Sequence, residues 1–288
     1  MERYEIIEEL GQGGFGRVVK AFDQKLKINV AIKFLHNISL LDELTATRFK
    51  DEGKAASMVR GVGLVPLLDS GVDEKGVPYL VHRYCPNGTL AHHIDAGQRL
   101  VGPKLFERLV KPLLIGIQTI HEAGIIHRDI KPENLYATDE DNYALGDFGL
   151  ARFKGRLAKT ATGLVVGTPL YLPPEAWATD SSAYGKNGDI YAAGLVIVEA
   201  CTGRLPHDGV PHSKRVLTIV SKGIKCQDLQ DIGVSAQLAR VLTPMLVSNP
   251  EERPADTKEL LERFEQTIFR LRKDEKTLKA GSSQSTKH

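Results

Sequence analysis

Short apolar and β-branched segments, separated by glycine or polar breaks, recur through the first 84 residues. This pattern is typical of β-strands. The predicted strands are Tyr4–Leu10, Arg17–Asp23, Ile28–Leu35, Leu64–Asp69 and Tyr79–Tyr84. From Leu41 to Val59, apolar and small residues recur at helical spacing instead. We therefore expect a small, mostly antiparallel sheet that one helix interrupts.

Beyond the turn signal Pro86-Asn87-Gly88 the hydrophobic pattern becomes helical over long stretches. The predicted helices include Pro103–Ala123, Asp189–Thr202 and Thr257–Leu271. The predicted fold class is α+β, with a small, mostly antiparallel β lobe in residues 1–84 and a larger, mainly α lobe in residues 85–266. Residues 267–288 are charged and poor in apolar groups, so we expect a disordered tail.

Composition narrows the class of protein and its partners. A chain of 288 residues with 42% hydrophobic residues can bury a real core. Its 38 basic and 36 acidic side chains favour neither nucleic acid nor an anionic membrane as the main partner. The scattered Cys85, Cys201 and Cys226 indicate no zinc site or disulfide framework, and the apolar run Ile190–Val198 is about half a membrane span. These features predict a cytoplasmic chain without a membrane segment.

The segment G-Q-G-G-F-G at 11–16 lies between two predicted strands. Glycines let a backbone approach phosphate groups closely and direct N–H groups toward them. In dinucleotide-binding folds a similar pattern opens a helix, whereas here Arg17-Val18-Val19 continues as a strand. Taken alone, the motif fits a glycine-rich hairpin without a ligand equally well.

The segment V-A-I-K at 30–33 is an apolar strand that ends in a lysine. Strand alternation places Ala31 and Lys33 on the same face. In the predicted helix, Glu52 lies on the same stripe as Ala56 and therefore also points inward. Two inward charges of opposite sign indicate an ion pair, although each residue alone also fits an exposed position.

The segment H-R-D-I-K-P-E-N at 127–134 is followed by D-F-G at 147–149. Together with the glycine-rich loop and V-A-I-K, in this order, these motifs resemble the eukaryotic-type (Hanks-type) protein kinase superfamily over about residues 1–266. The resemblance implies a bilobal protein kinase fold and transfer of the γ-phosphoryl group of ATP to serine or threonine hydroxyls of proteins. The compact, insert-free form is similar to that of bacterial serine/threonine kinases.

The resemblance also implies catalytic roles. Asp129 orients the substrate hydroxyl and accepts its proton, and Lys131 stabilises charge on the moving phosphoryl group. Lys33 holds the α- and β-phosphates, and Glu52 fixes the position of Lys33. His127 braces the catalytic loop rather than acting as a base.

The implied nucleotide site combines ATP with Mg²⁺, or Mn²⁺ in its place, and Asn134 and Asp147 supply the metal with oxygen ligands. Backbone groups of residues 83–85 are expected to contact the adenine. The expected nucleotide-binding residues are Leu10, Gly11, Gln12, Gly13, Gly14, Phe15, Gly16, Val18, Ala31, Lys33, His82, Arg83, Tyr84, Cys85 and Leu135.

His82 falls at the gatekeeper position of the resemblance, which is normally apolar. A buried imidazole needs a hydrogen-bond partner. We predict that His82 narrows the back of the adenine pocket and hydrogen-bonds within the core. A weak pH sensor is the alternative.

The expected regulatory segment runs from Asp147 to Glu175. Arg128 precedes the catalytic aspartate, and similar kinases need phosphate on this segment to neutralise that arginine. Thr160 and Thr162 are the candidate phosphosites, with ordinary loop threonines as the alternative. Thr168 resembles a threonine that bridges the catalytic aspartate and lysine, so its predicted role is structural.

Two further matches point to the architecture of the larger lobe. Asp189 in D-I-Y-A-A-G is expected to hold the backbone of the catalytic loop, and Arg253 is expected to pair with Glu175. Loss of either contact should leave a buried charge unpaired, at a cost of about 3–5 kcal/mol.

Two other functions were weighed against a protein kinase. A pseudokinase binds ATP or a partner without transfer, but such proteins usually lack one of the catalytic residues that are present here. A small-molecule phosphotransferase keeps a related loop but generally lacks Lys131 and the segment G-T-P-L-Y-L-P-P-E. The expected partners are protein substrates with serine or threonine, no nucleic acid, and a transient homodimer for autophosphorylation.

Overall fold

The computed structural model describes residues 2–13, 16–35, 53–54, 56–138, 141–148, 169–177, 184–206, 208–210, 214, 218–219 and 223–268. Five antiparallel strands form the first part of the chain, in the spatial order β1-β2-β3-β5-β4. The strands are β1 (Tyr4–Gly13), β2 (Gly16–Asp23), β3 (Ile28–Leu35), β4 (Leu67–Val72) and β5 (Pro78–Arg83). The predicted antiparallel sheet is confirmed.

The two faces of this sheet enter different cores. Val19, Val30, Ile32 and Val81 are at most 1% exposed and pack together on the outer face. Alternation along β3 turns Ala31 and Lys33 to the opposite face, as V-A-I-K predicted, and there they line a cavity. The sheet thereby separates a small core from the cleft.

The predicted fourth strand begins three residues too early. Leu64 forms a bridge with Leu145, and the Val65 N–H donates to the Leu145 carbonyl at 2.9 Å. These residues therefore pair with Leu145 of the larger lobe instead of extending β4, which starts at Leu67. Hydrophobic pattern alone does not distinguish the two pairings.

A charged cluster joins the two edges of the sheet at one end. The Arg3 guanidinium contacts Asp23 at the end of β2 through Nε (2.9 Å) and Nη2 (2.6 Å), and Asp69 in β4 through Nη1 (2.5 Å). The Tyr4 hydroxyl also donates to Asp69, at 2.8 Å. Arg3 lowers the pKa of the Asp23 carboxyl, whose side chain is fully buried.

The larger part of the chain is mainly helical, as predicted. Its helices are α1 (Leu90–Asp95), α2 (Gly102–Leu105), α3 (Lys111–Glu122), α4 (Lys186–Thr202), α5 (Cys226–Asp231), α6 (Ala236–Leu242) and α7 (257–268). A π-helical stretch, Phe106–Val110, joins α2 to α3, so the single predicted helix has a local irregularity. Single 3₁₀ turns occur at Pro132–Asn134, Pro169–Tyr171, Pro174–Trp177, Thr243–Leu246 and Pro250–Glu252.

Helix α4 is the centre of the helical part. Twelve of its residues are buried, and the helix is hydrophobic around its whole circumference rather than along one stripe. It ends where Gly203 adopts a left-handed conformation with φ of 73°. A short hairpin of β6 (Leu135–Ala137) and β7 (Tyr143–Leu145) lies beneath the cleft. In the described part of the chain, no helix has the length and apolar character to cross a membrane.

Candidate active site

A cavity of about 380 Å³ lies between the sheet and the β6–β7 hairpin. Many of the predicted nucleotide-binding residues line it: Leu10, Gly11, Val18, Ala31, Lys33, His82, Arg83, Tyr84 and Cys85. The predicted metal ligand Asp147 lies in the same wall. The Arg83 N–H, one of the backbone groups predicted to contact adenine, donates to the Pro66 carbonyl at 3.1 Å.

The glycine-rich loop connects β1 to β2. Gln12 pairs with Arg17 and Gly13 with Gly16, while Gly14 and Phe15 lie outside the described residues. Gly16 has φ of 144°, and a Cβ there would come within 1.8 Å of the Phe34 carbonyl oxygen. Close packing against β3 therefore requires this glycine, independently of any phosphate.

The structure does not place Leu135, a predicted nucleotide contact, in the lining of the cavity. Leu135 is fully buried in the larger core, and the next residue, Tyr136, lines the cavity instead. Adjacent side chains of β6 point to opposite faces, so only one of the two can reach the cleft. Asp147 beside it is the largest influence on the Tyr136 phenol and raises its pKa.

Lys33 and Asp147 meet across the cleft. The Lys33 Nζ lies 2.5 Å from the Asp147 Oδ2, and both side chains are mostly buried. Asp147 has φ of 63°, a left-handed conformation that non-glycine residues adopt at some cost and that is frequent at functional sites. Glu52, the predicted partner of Lys33, lies outside the described residues.

The catalytic loop holds Asp129 between two cationic or polar donors. The Asn134 amide Nδ2 donates to the Asp129 Oδ2 at 2.9 Å and to the Asp129 backbone carbonyl at 2.7 Å. The Lys131 Nζ lies 3.2 Å from the Asp129 Oδ1. The three residues that the motif names are therefore brought together around one carboxylate.

Asp189, at the start of α4, supports this loop from below. Its carboxylate accepts hydrogen bonds from the backbone N–H groups of His127 (2.8 Å) and Arg128 (2.9 Å), and Arg128 has φ of 63°. The carboxylate also contacts the His121 Nε2 at 2.8 Å and the Tyr184 hydroxyl at 3.2 Å. Sequence analysis did not identify His121 and Tyr184, because neither spacing nor periodicity links them to the loop.

The catalytic loop and Asp147 are joined through the backbone. The His127 Nε2 lies 2.8 Å from the Gly146 carbonyl, and the Gly146 N–H donates to the Asn134 carbonyl at 2.9 Å. Gly146 directly precedes Asp147, so these two bonds fix the spacing between the two predicted metal ligands. His127 is fully buried, in line with a bracing role.

Glu175 and Arg253 form a buried bidentate ion pair. The Arg253 Nη1 and Nη2 contact the two Glu175 carboxylate oxygens at 2.6 and 2.7 Å. The remaining guanidinium donors reach the carbonyls of Val247, Asn187 and Ser248. Thr160, Thr162 and Thr168, which precede this pair in the chain, lie outside the described residues.

The prediction that His82 hydrogen-bonds within the core is wrong for the described residues. The side chain is buried, with 6% of its surface exposed, but neither ring nitrogen has a hydrogen-bond partner among the residues described. The Asp147 Oδ1 lies 4.0 Å from its Nε2. Burial lowers the pKa of His82 to about 4, so the ring is neutral between pH 6 and pH 8, which disfavours the alternative of a pH sensor.

The donor set fits a metal that arrives together with phosphate groups. Asn134 uses its amide nitrogen on Asp129, which leaves its amide oxygen as the ligand. In the described residues, no group of three or more His, Cys, Asp or Glu side chains is arranged to hold a metal by itself. One carboxylate, one amide oxygen and phosphate oxygens form the kind of hard-oxygen site that Mg²⁺ occupies in kinases.

Comparisons with known proteins agree with this geometry. The family model described as "Protein kinase domain" matches residues 4–264. The serine/threonine-protein kinase PknL of Mycobacterium tuberculosis is 31% identical over 255 residues, which are 88% of this chain and 63% of PknL.

Two other relatives show the same relation. The probable serine/threonine-protein kinase pknA2 of Bifidobacterium longum is 29% identical over 93% of this chain and 35% of its own length. PrkC of Bacillus subtilis is 35% identical over 72% of this chain and 31% of its own length. The chain thus spans between about a third and two thirds of these relatives, and it belongs to the protein kinase domain family.

Proposed function

We propose that this chain is an active serine/threonine protein kinase that transfers the γ-phosphoryl group of ATP to hydroxyl groups of protein substrates. One observation carries the proposal. Asn134 and Lys131 contact the Asp129 carboxylate within one loop. His127 and Gly146 join this loop to Asp147, which pairs with Lys33 in the cavity. Binding of a nucleotide alone does not require the cluster of Asp129, Asn134 and Lys131.

Asp129 has the surroundings of a group that accepts a proton from a hydroxyl. Its Oδ2 accepts a hydrogen bond from Asn134, and its Oδ1 faces the Lys131 ammonium. As the hydroxyl oxygen bonds to the γ-phosphorus, its proton passes to Asp129, and the bond to the β-phosphate oxygen breaks to release ADP. Lys131 neutralises charge on the phosphoryl group during transfer.

The phosphates of ATP and the metal ion are bound by Lys33, Asn134 and Asp147. Lys33 exchanges its contact with Asp147 for the phosphates of ATP, while Asn134 and Asp147 hold Mg²⁺ through their side-chain oxygens. The metal neutralises charge on the phosphates when it is bound. Burial of Lys33 and Asp147, with side-chain exposures of 15% and 9%, limits competition from water for these charges.

Regulation by phosphate on the activation segment forms part of the proposal. The Arg128 Nε is buried and has no hydrogen-bond partner among the described residues, so this guanidinium retains capacity for an anion. Thr160 and Thr162 are the proposed acceptors, modified by a second copy of the chain in a transient homodimer. The curated relatives are named serine/threonine-protein kinases, which supports serine and threonine as acceptors.

The test compares the wild type with two aspartate variants. Each protein is incubated with ATP, Mg²⁺ and a generic basic protein substrate, and phosphate is mapped by mass spectrometry. Asp147→Asn removes a proposed metal ligand, whereas Asp141→Asn changes an aspartate whose side chain is 77% exposed in the β6–β7 turn. We expect phosphate on substrate serine or threonine from the wild type and Asp141→Asn, and none from Asp147→Asn.

Two outcomes would contradict the proposal. Equal labelling by Asp147→Asn would point to a contaminating kinase. A wild type that transfers no phosphate to protein, although ATP raises its melting temperature, would be a pseudokinase or a small-molecule phosphotransferase, and hydroxylated metabolites would then be tested. Substrate labelling without phosphate on Thr160 or Thr162 would contradict only the regulatory part.

A further inference from the structure

His82 is a buried polar side chain whose hydrogen-bonding capacity is unused within the described part of the chain. Both ring nitrogens are inaccessible to solvent and have no partner there. A buried polar group without a partner costs about 1–3 kcal/mol. Such a group in a native structure calls for an explanation, and a catalytic role is one of the recognised explanations.

Strand pairing fixes the position of the imidazole. His82 lies in β5 opposite Ala31 of β3 and Leu67 of β4, so its backbone is held on both sides. Its neighbour Val81 enters the outer core, and alternation turns His82 to the cavity face. The ring is therefore part of a rigid wall and not of a loop.

The ring faces the carboxylate of Asp147. Its Nε2 lies 4.0 Å from the Oδ1, while the Lys33 Nζ lies 2.5 Å from the Oδ2. The two oxygens of one carboxylate thus face two different nitrogen donors. The longer separation exceeds an N–H···O hydrogen bond by about 1 Å, which a small rotation of the carboxylate can close.

The ring can donate without introducing a buried charge. A neutral imidazole has one N–H donor and one acceptor nitrogen. With the proton on Nε2, the donor is directed toward the Asp147 carboxylate.

We propose that His82 is a positioning residue for Asp147, and that its Nε2–H donates to the Oδ1 when Lys33 leaves the carboxylate for the phosphates of the nucleotide. The inference rests on the proposed function, because it takes Asp147 as a metal ligand. Carboxylates that bind metals are themselves held by hydrogen bonds, and loss of such a partner typically weakens metal affinity or activity about 10- to 100-fold. His82 supplies this bond from the sheet.

The test measures metal affinity directly, with Mn²⁺ as a paramagnetic probe. Binding of Mn²⁺ in the presence of ADP is titrated by electron paramagnetic resonance for the wild type and for His82→Met, His82→Leu and His82→Gln. Met and Leu remove the donor, whereas the Gln amide N–H can donate from nearly the same place. Tyr191→Phe is the matched control, since it removes another buried polar atom without a partner among the described residues.

We expect the Met and Leu variants to bind Mn²⁺ about 10-fold more weakly than the wild type, and the Gln variant to stay within about threefold. The control should bind as the wild type does. ADP affinity without metal is measured for all five proteins, and any loss of Mn²⁺ affinity is judged relative to it, because the proposed bond acts on the metal ligand and not on the base. The titration needs no phosphoryl transfer, so its result stands whether or not the chain proves to be a kinase.

Unchanged Mn²⁺ affinity in the Met and Leu variants would overturn the proposal. Equally weak binding by the Gln, Met and Leu variants would also overturn it, because the effect would then come from packing. Where the donor-free variants do not fold, ¹⁵N spectra of the wild-type histidines decide. A change in the His82 Nε2–H resonance when Mg²⁺ and ADP are added supports the bond, and an unchanged resonance overturns it.

Discussion

Two buried ion pairs of the described residues, Arg253–Glu175 and Lys33–Asp147, differ in what surrounds them: backbone carbonyls around the first and a cavity beside the second. Arg253 makes two contacts with Glu175 and three more with backbone carbonyls. Lys33 contacts Asp147 through one nitrogen and one oxygen, and the adjacent His82 has no hydrogen-bond partner among the described residues. Protein acceptors saturate the Arg253 guanidinium, whereas Lys33 and Asp147 lie in the wall of a cavity that a ligand can enter.

This difference distinguishes an ion pair that stabilises the fold from one that is proposed to bind phosphate and metal, called the working pair below. A saturated pair gains nothing from a substrate and resists rearrangement, so it suits the anchor of a segment. A pair in the wall of a cavity can exchange partners when phosphate and metal arrive, because a ligand can reach both charged groups there. The same contrast holds between Asp189, which has four partners, and the Arg128 guanidinium, whose Nε has none in the described residues.

The largest expected effect is on stability, from breaking the saturated pair. Arg253→Leu leaves the Glu175 charge buried without its partner and should lower the free energy of unfolding by about 3–5 kcal/mol. Urea unfolding of the wild type and the variant measures this loss of free energy. Arg263→Leu, which breaks an exposed pair with Glu259, is the control and should cost less than about 1 kcal/mol. Similar losses in both variants would contradict the assignment of Arg253–Glu175 as the structural pair.

Changing the working pair should affect activity instead. Lys33→Met removes the cation that is proposed to hold the phosphates, and we expect phosphoryl transfer to fall about 10²- to 10³-fold. The urea midpoint should move much less than in Arg253→Leu. Lys111→Met, at an exposed helical pair with Glu107, should keep wild-type activity. A large loss of stability with full activity would reverse the comparison.

An intermediate effect on stability is expected at the charged cluster of Arg3, Asp23 and Asp69, at one end of the sheet. Asp23→Asn removes the carboxylate that accepts bonds from Arg3, and hydrogen bonds to charged groups contribute about 1.5–3 kcal/mol. Arg3 lowers the pKa of Asp23 in the folded state, so this contribution is present above the unfolded value of about 4 and is lost as the pH falls below it.

Urea unfolding of the wild type and Asp23→Asn at several pH values tests this sign. The difference between the two proteins should be greatest near pH 7 and should shrink below about pH 4. A difference that grows toward acid would mean that the pair with Arg3 does not lower the pKa of Asp23.

The smallest effect should come from Tyr191→Phe. The Tyr191 hydroxyl is buried without a partner in the described residues, and its ring lies 4.9 Å from the Arg253 guanidinium carbon. Phenylalanine keeps the ring and removes the unsatisfied oxygen, so stability should rise by less than about 1 kcal/mol. A loss above about 2 kcal/mol would show that the hydroxyl contributes to the saturated pair.

Local pattern was sufficient where one element decides the position of a residue. The alternation in V-A-I-K predicted Val30 and Ile32 on one face and Ala31 and Lys33 on the other, and the structure places the first two in the core and the second two in the cleft. The helical pattern over Asp189–Thr202 predicted the helix that the structure describes as α4. The resemblance carried by H-R-D-I-K-P-E-N assigned roles to Asp129, Lys131 and Asn134, and the structure brings these three residues together in one short loop.

Sequence failed where a second element competes. Leu64 pairs with Leu145 instead of extending β4, and Tyr136 instead of Leu135 faces the cavity because that choice depends on how β6 packs. His121 and Tyr184 reach Asp189 only through the tertiary fold. The lack of a hydrogen-bond partner for His82 within the described residues was not predictable either, because a sequence pattern can indicate that an imidazole is buried but not what surrounds it.

The cluster of Arg3, Asp23 and Asp69 has a consequence for self-association. It draws together the ends of β1 and β4, the two edge strands where another chain could add a strand. Edges that are tied across one end offer a shorter accessible row of backbone groups to a neighbour. Arg3→Ala should therefore form aggregates on storage, visible by light scattering, before it loses any ability to bind nucleotide.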